Sequence, residues 1–255
     1  MKKKEIIPKN NGMKRLIIIV LLLIITPLTT LADEVSIKFH FKLGFLKGGE
    51  AILTIKDTTF NGKAAINYRA VGRTTGLANA LYSVYDIYET TVDAETLLPL
   101  KSIRNVKEGS YKRYNEALFF HDIDSIHTTR SGWKKMPDNC VDILSVFFYF
   151  IEHNDPGKMH SGDAVILPTY NADKINMVAV KFLREKRINT SVGKIDTYVL
   201  NPSVISKFLD KHDGIKCYMS KKNKMIVYAD LDLTFGSLKA VLKSYKINGV
   251  EQKFK

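Results

Sequence analysis

Cysteine is nearly absent from this chain of 255 residues: there are two, Cys140 and Cys217. Two cysteines allow one disulfide at most, so a disulfide-dense scaffold is excluded. No cysteine follows the apolar run near the N-terminus, so no lipid-modified cysteine anchors the chain there. The six histidines (His40, His121, His127, His153, His160 and His212) never stand four apart on a helical stretch, and H-E-x-x-H does not occur. That removes the helical zinc-protease signature. G-x-S-x-G is also missing, which removes the nucleophile elbow of the hydrolases. Long apolar runs are scarce, and outside the first thirty-two residues none approaches the roughly twenty needed to span a bilayer as a helix.

The one long run is Leu16–Ile25, "LIIIVLLLII", ten residues without a polar side chain. Lys2, Lys3, Lys4, Lys9, Lys14 and Arg15 precede it, and "TPLTTLAD" follows, with Thr30 and Ala32 at small-residue cleavage positions. A basic stretch, a short apolar stretch and small residues in that order make a secretory signal peptide. The expectation is a leader at 1–32, a mature chain at 33–255 with no transmembrane span after cleavage, and a periplasmic location. The leader holds six of the 39 basic residues and one of the 26 acidic ones, so the mature chain carries 33 against 25, or +8. An exported protein of this charge has no call for nucleic acid. Its short basic clusters, "REKR" at 184–187 and "KKNK" at 221–224, read as solvated turns and strand edges, or as contacts with anionic lipid or glycan.

Within the mature chain the dominant pattern is alternation. Val35 to Leu43 puts apolar residues at every odd position and polar ones at every even position. This is a strand with one dry and one wet face. Ala51, Leu53 and Ile55 continue it, and the glycines of "LGFLKGGEA" between the two runs read as a hairpin connection. A phosphate loop would lead into a helix, and here the chain leads into another strand. Further strands are predicted at 66–73, 82–92, 98–106, 111–120, 164–169, 177–183, 195–200, 215–220, 225–233 and 237–247. Turn residues lie between them. The segment "VDILSVFFYFI" is apolar on all sides, follows Pro137, Asp138 and Asn139, and ends at "NDPG". It predicts one buried helix at about 141–151. Short helices are also predicted at 76–80 and 203–209, and 155–163 is the candidate seam between halves. The fold class is mainly β: a curved antiparallel sheet or an open, half-closed β-barrel carrying one buried helix.

Several stretches together resemble a known family. They are "FKLGFLKGGEAIL", "VYDIYETTVDAETLLPLKSIRNVKEGSY", "DILSVFFYF", "INTSVGKIDTYVLNP" and "LTFGSLKAVL". In order and spacing the chain resembles the bacterial family called domain of unknown function 3108. The resemblance covers most of 35–245 and implies an exported, mostly β envelope protein. It implies no activity and no catalytic residues. Fold-level analogy alone adds the shape of the curved-sheet carriers that move lipoproteins across the periplasm.

Candidate chemistry is sparse. Cys140 and Cys217 permit one disulfide, or stand as two buried thiols. His121, Asp122, Asp124 and His127 read as a polar loop, not a metal site. Ser145, three residues after Asp142, secures the start of the helix by a hydrogen bond. Asp230 and Asp232 share a strand face about 7 Å apart, a spacing that glycosidase carboxylates also use. They read as solvated acids, and the chain is taken as a non-enzyme without cofactor or metal. Twelve Tyr and thirteen Phe, with a cluster at 147–150, exceed what turns require. They fill the gap between sheet and helix, or line a cleft for an acyl chain or other apolar ligand, with Phe147, Phe148 and Phe150 as candidate contacts. Two functions lead: a binding or carrier module for an apolar or amphipathic envelope ligand, or a structural or assembly partner of another envelope protein; a hydrolase using Asp230 and Asp232 ranks last.

Overall fold

A computed structural model describes residues 34–43, 46–205, 215–233 and 236–253. The leader expected at 1–32 lies outside the described residues, as does most of the helix predicted at 203–209. Ser203 and Val204 themselves close a strand. Residues 33–255 form one compact unit.

The first meander comprises β1 (Glu34–Leu43), β2 (Leu46–Phe60), β3 (Lys63–Thr74), β4 (Tyr85–Asp93), β5 (Pro99–Glu108), β6 (Tyr111–Phe120), β7 (Ser125–Thr128) and β8 (Gly132–Lys135). The second comprises β10 (Ala164–Asn171), β11 (Lys174–Thr190), β12 (Gly193–Val204), β13 (Ile215–Ser220), β14 (Ile226–Leu233) and β15 (Gly236–Ile247). Within each, neighbours in sequence are antiparallel neighbours in space, and β1 pairs with β15 to join the two into one sheet. β9 (Val141–Asp142) pairs parallel to β10 at one end, and β16 (Val250–Glu251) pairs β15.

The alternation in β1 does what its period dictates. Ile37 joins Tyr218, Val227, Leu242 and Tyr245 in a core cluster, with Val35 and Phe39 packed against it. On the opposite face Lys38 lies 2.7 Å from Glu50.

The sheet rolls without closing on itself. β8 and β9 end the strand order at opposite ends and do not pair. Side chains bridge the gap instead. Asp142 of β9 accepts hydrogen bonds from Thr90 of β4 and, at 2.6 Å, from Ser102 of β5. Asn115 of β6 donates to the Tyr170 hydroxyl of β10 at 2.5 Å. Lys134 of β8 lies 3.2 Å from Asp173, in the turn between β10 and β11. The result is the open barrel that the strand pattern predicts.

Among the described residues two α-helices interrupt the strands: α1 (Gly76–Leu81) and α2 (Val146–His153). α2 starts five residues later than its sequence suggests, because Val141 and Asp142 are extended as β9. The Asp142 carboxylate accepts from the amides of Leu144 and Ser145, at 3.2 and 2.8 Å, and the Asp142 amide donates to Ser145 Oγ at 3.1 Å. These bonds close a turn at 142–145 just ahead of the helix, whose N-cap, Ser145, makes no capping hydrogen bond with its side chain. The expected Asp142–Ser145 hydrogen bond is present, but with Asp142 in a strand and in the turn that precedes α2, not on one face of a helix.

Candidate ligand cleft

Gly48 and Gly49 do not form the β1–β2 turn. They lie inside β2, where Gly49 pairs with Phe41 on one side and Thr74 on the other. A Cβ at Gly49 would stand 2.6 Å from the Arg73 carbonyl oxygen, so only glycine allows that approach. Gly72 differs: a Cβ there would meet nothing within 4 Å. Gly72 pairs with Ala51 of β2 and Asp86 of β4, and Ala70 pairs with Tyr88. Small residues on adjacent strands leave a hollow on one face of the sheet.

That hollow is a cleft of about 470 Å³, walled by Phe41, Ala51, Ala70, Val84, Tyr88 and Leu238, with Ala78 of α1 at its margin. Its floor is the backbone of Gly48, Gly49 and Gly72. A second hollow of about 350 Å³ adjoins it and shares Arg73, Thr74 and Val84. This one is polar, bordered by Thr75, Asn79, Ser83 and Tyr85. An apolar chamber thus opens beside a polar one.

One acid faces the apolar chamber. Burial raises the Asp86 carboxyl to about 6, the neighbouring Glu108 adds to the rise, and the amide of Lys107, which donates to it at 3.0 Å, opposes it. Arg104 lies nearby and donates to the Tyr88 hydroxyl at 3.3 Å. On the other face of the sheet, Glu50 is only 7 % exposed and is held by Lys38 at 2.7 Å and Arg73 at 2.5 Å. Hydrogen bonds from those two cations lower its carboxyl to about 2. Arg73 borders both chambers, and its guanidinium is bound to Glu50 on the face away from the apolar one.

The residues singled out from the sequence lie elsewhere. Phe150 is fully buried in the cluster of Leu167, Val180, Leu200 and Met219, and Phe147 packs against the same cluster. Phe148 stacks on Tyr68 with ring centres 3.9 Å apart. None of the three lines the cleft. Cys140 and Cys217 are both free and buried, and they sit in different core clusters. Burial pushes each thiol up to about 12.

His121 lies 2.9 Å from the Pro99 carbonyl, and His127 rests against Trp133. Among the described residues no group of three or more His, Cys, Asp or Glu converges as a metal site. Asp230 accepts a hydrogen bond from Ser237, and the Asp232 side chain lies outside what is described. The basic clusters at 184–187 and 221–224 are tied to acids: Arg187 grips Asp196 at 2.6 and 2.7 Å, Lys221 lies 2.5 Å from Glu185, and Lys224 lies 3.5 Å from Asp155. Among the described residues no helix is long and apolar enough to cross a membrane.

The sequence profile described as "Protein of unknown function (DUF3108)" matches residues 36–243. The chain belongs to this family. The crystal structure titled "Beta-barrel-like Protein of Domain of Unknown Function DUF1849 from Brucella abortus" is similar in fold. It is 10 % identical, aligns over 85 % of this chain and 98 % of its own, and gives a TM-score of 0.53. At that identity the likeness is one of fold alone. No curated protein matches the chain. The DUF3108 match spans both meanders, so the whole rolled sheet is the family's unit and the cleft lies within it.

The cleft was hidden in plain view in the sequence. "GGEA" and "AVGRT" both hold glycine beside alanine in a strand, which marks close backbone approach or missing side-chain volume as well as a turn.

Proposed function

We propose that this DUF3108 protein is an exported, non-catalytic envelope protein that holds an apolar or amphipathic ligand in the β2–β4 cleft. The observation that carries this is the pair of adjoining chambers, one apolar and one polar, which share Arg73, Thr74 and Val84 in their walls. An amphipathic molecule has the same division. Its apolar portion would lie over the glycine floor, and its polar group would meet Thr75, Asn79 and Ser83. Concave, mostly apolar sites of this size with few polar groups are the usual form of small-molecule sites. The basic and apolar leader pattern at 1–32 supports export and a periplasmic location. We seat the ligand in the cleft and not against Phe147, Phe148 and Phe150, whose rings are occupied by core contacts.

The test is mass spectrometry of an organic extract of the protein purified natively from its own envelope fraction. A lipid or other apolar molecule near one per chain, absent from a Gly72→Ile variant, is expected. A wild-type protein that comes away empty, and that fails to take up an apolar fluorescent probe, would end this reading. A second reading, an assembly role, is favoured by the sheet edge at β8, where Trp133 is exposed beside Phe120 and His127. A stoichiometric protein partner lost on Trp133→Ala would support it.

A further inference from the structure

α1 is unusual in what it displays. It has six residues and buries none of them, and Leu77 and Leu81 are 83 % and 88 % exposed. Four apart on a helix, they share one side. A helix this short has little stability of its own. It is held by neighbours: the Thr75 amide donates to the Gly48 carbonyl at 3.1 Å, and Ala78 lies over Gly48. Directly after it come Tyr82 and Tyr85, both exposed. The Tyr82 ring lies against Gly109, at the tip of the β5–β6 hairpin, and Tyr111 of that hairpin is exposed too. Single exposed apolar residues are ordinary, but this is a group at one end of the sheet.

The charge around the group is equally specific. The β1–β2, β3–β4 and β5–β6 connections all lie at the same end, because the first meander runs antiparallel in sequence order. On the β1–β2 hairpin Lys42 faces Lys47 across the strands, and on the β5–β6 hairpin Lys107 faces Lys112. All four are exposed. Like charges directly opposite in a sheet are unfavourable, yet this pairing occurs on both hairpins that flank α1. Arg113 lies over the Tyr111 ring at 5.3 Å. Of the acids at this end, Asp86 and Glu108 are half-buried, and Glu50 is buried and paired with Lys38 and Arg73. Two leucines and three tyrosines between two lysine pairs are complementary to a surface with an apolar interior and an anionic skin.

We propose that this end of the sheet docks on an anionic lipid bilayer. Leu77 and Leu81 enter the boundary between headgroups and acyl chains, the tyrosines lie at headgroup level, and the lysine pairs meet lipid phosphates. The polar chamber bordered by Gly76, Asn79 and Tyr85 then opens toward the membrane. The inference concerns surface residues and holds whether or not the cleft carries a ligand.

The experiment uses residues 33–255, which contain the whole compact unit, so that the apolar run at 16–25 does not itself drive binding. Co-sedimentation is measured with vesicles of phosphatidylcholine alone and with phosphatidylglycerol added. Binding is expected only with phosphatidylglycerol, and it should weaken as salt is raised. The double change Leu77→Asn, Leu81→Asn should lower the partition coefficient at least tenfold or so, from lost apolar insertion. The double change Lys107→Gln, Lys112→Gln should also lower it by about tenfold or more. These side chains are exposed, so the thermal midpoint should not fall. Equal binding to both vesicle types, no binding to either, or wild-type binding by the leucine variant would overturn the proposal. Gly72→Ile should bind vesicles like wild type, which keeps failure of the cleft reading separate from failure of this one.

Discussion

Gly72 offers a perturbation in which stability and ligand binding should move in opposite directions. It lies inside β3 between Ala51 and Asp86, and a side chain there would project into space that holds no atom within 4 Å of its Cβ. Glycine within a strand costs about 0.5–1 kcal/mol relative to alanine, and β-branched residues gain further in strands, on a scale spanning about 1 kcal/mol. Gly72→Ile should therefore raise stability by about 1 kcal/mol. For a domain of this size that is roughly 2–4 °C in thermal midpoint. The same side chain stands across a cleft of about 470 Å³ and should remove bound ligand. Gly49→Ala is the control. Its Cβ would lie 2.6 Å from a backbone oxygen, which cannot swing aside as a flexible side chain would. Overpacking of this kind costs about 1–3 kcal/mol. Thermal unfolding followed by circular dichroism measures both variants, and extraction with mass spectrometry measures the ligand. If Gly72→Ile is destabilised like Gly49→Ala, the hollow at Gly72 is not real. If it is stable and still loaded, the ligand lies elsewhere.

Other outcomes follow from the same geometry. Asp86 titrates at about 6 in the folded protein against an ordinary 3.8, so folding favours its proton. Its contribution is full below about 4 and is lost as the pH rises through 6. Asp86→Asn should flatten the stability profile between those values, and an apolar probe should bind wild type more tightly at the acid end; a profile unchanged by the substitution would refute the assignment. Glu50, lowered to about 2 from 4.5, behaves oppositely. Its contribution is present above 4.5 and is lost as the pH falls toward 2, so Glu50→Gln should weaken the protein near neutrality and blunt that acid limb. Asp142→Ala strands the hydroxyls of Thr90 and Ser102 and the amides of Leu144 and Ser145. The loss should be about 3 kcal/mol or more by urea denaturation, and a loss under about 1 would mean that the bridge between the sheet's ends carries little. Cys140 and Cys217 should resist alkylation in the folded protein and both react once it is unfolded; rapid native labelling would contradict their burial.

The strands were legible because alternation is a local signal. Val35 to Leu43 states its own faces, β6 and β13 coincide with their predicted runs, and β5 follows its own within two residues. The start of α2 was not, since "VDILS" is as apolar as the helix it precedes, and what makes Val141 and Asp142 extended is pairing with Thr169 and Tyr170 far along the chain. The cleft was misread for a related reason. Gly48 and Gly49 look like a turn from their own neighbourhood, and their role appears only when β3 is laid beside them. Asp142 was noticed for its neighbour Ser145, while its partners on β4 and β5 lie 52 and 40 residues away. The exposed leucines of α1 carry no periodic signal, because six residues are too few to show one.

The pairing of β1 with β15 has a kinetic consequence. Each meander is built from contacts between consecutive strands and can form locally, but the two become one sheet only when Val35 finds Ile247. Closing so long a loop is slow, and non-local strand pairing dominates folding time. Until the last strand is available, β1 has one free flank and the Ile37 cluster lacks Leu242 and Tyr245. The chain is therefore committed late: a nascent or truncated form ending before Gly236 keeps an open, adhesive strand at the centre of its own sheet.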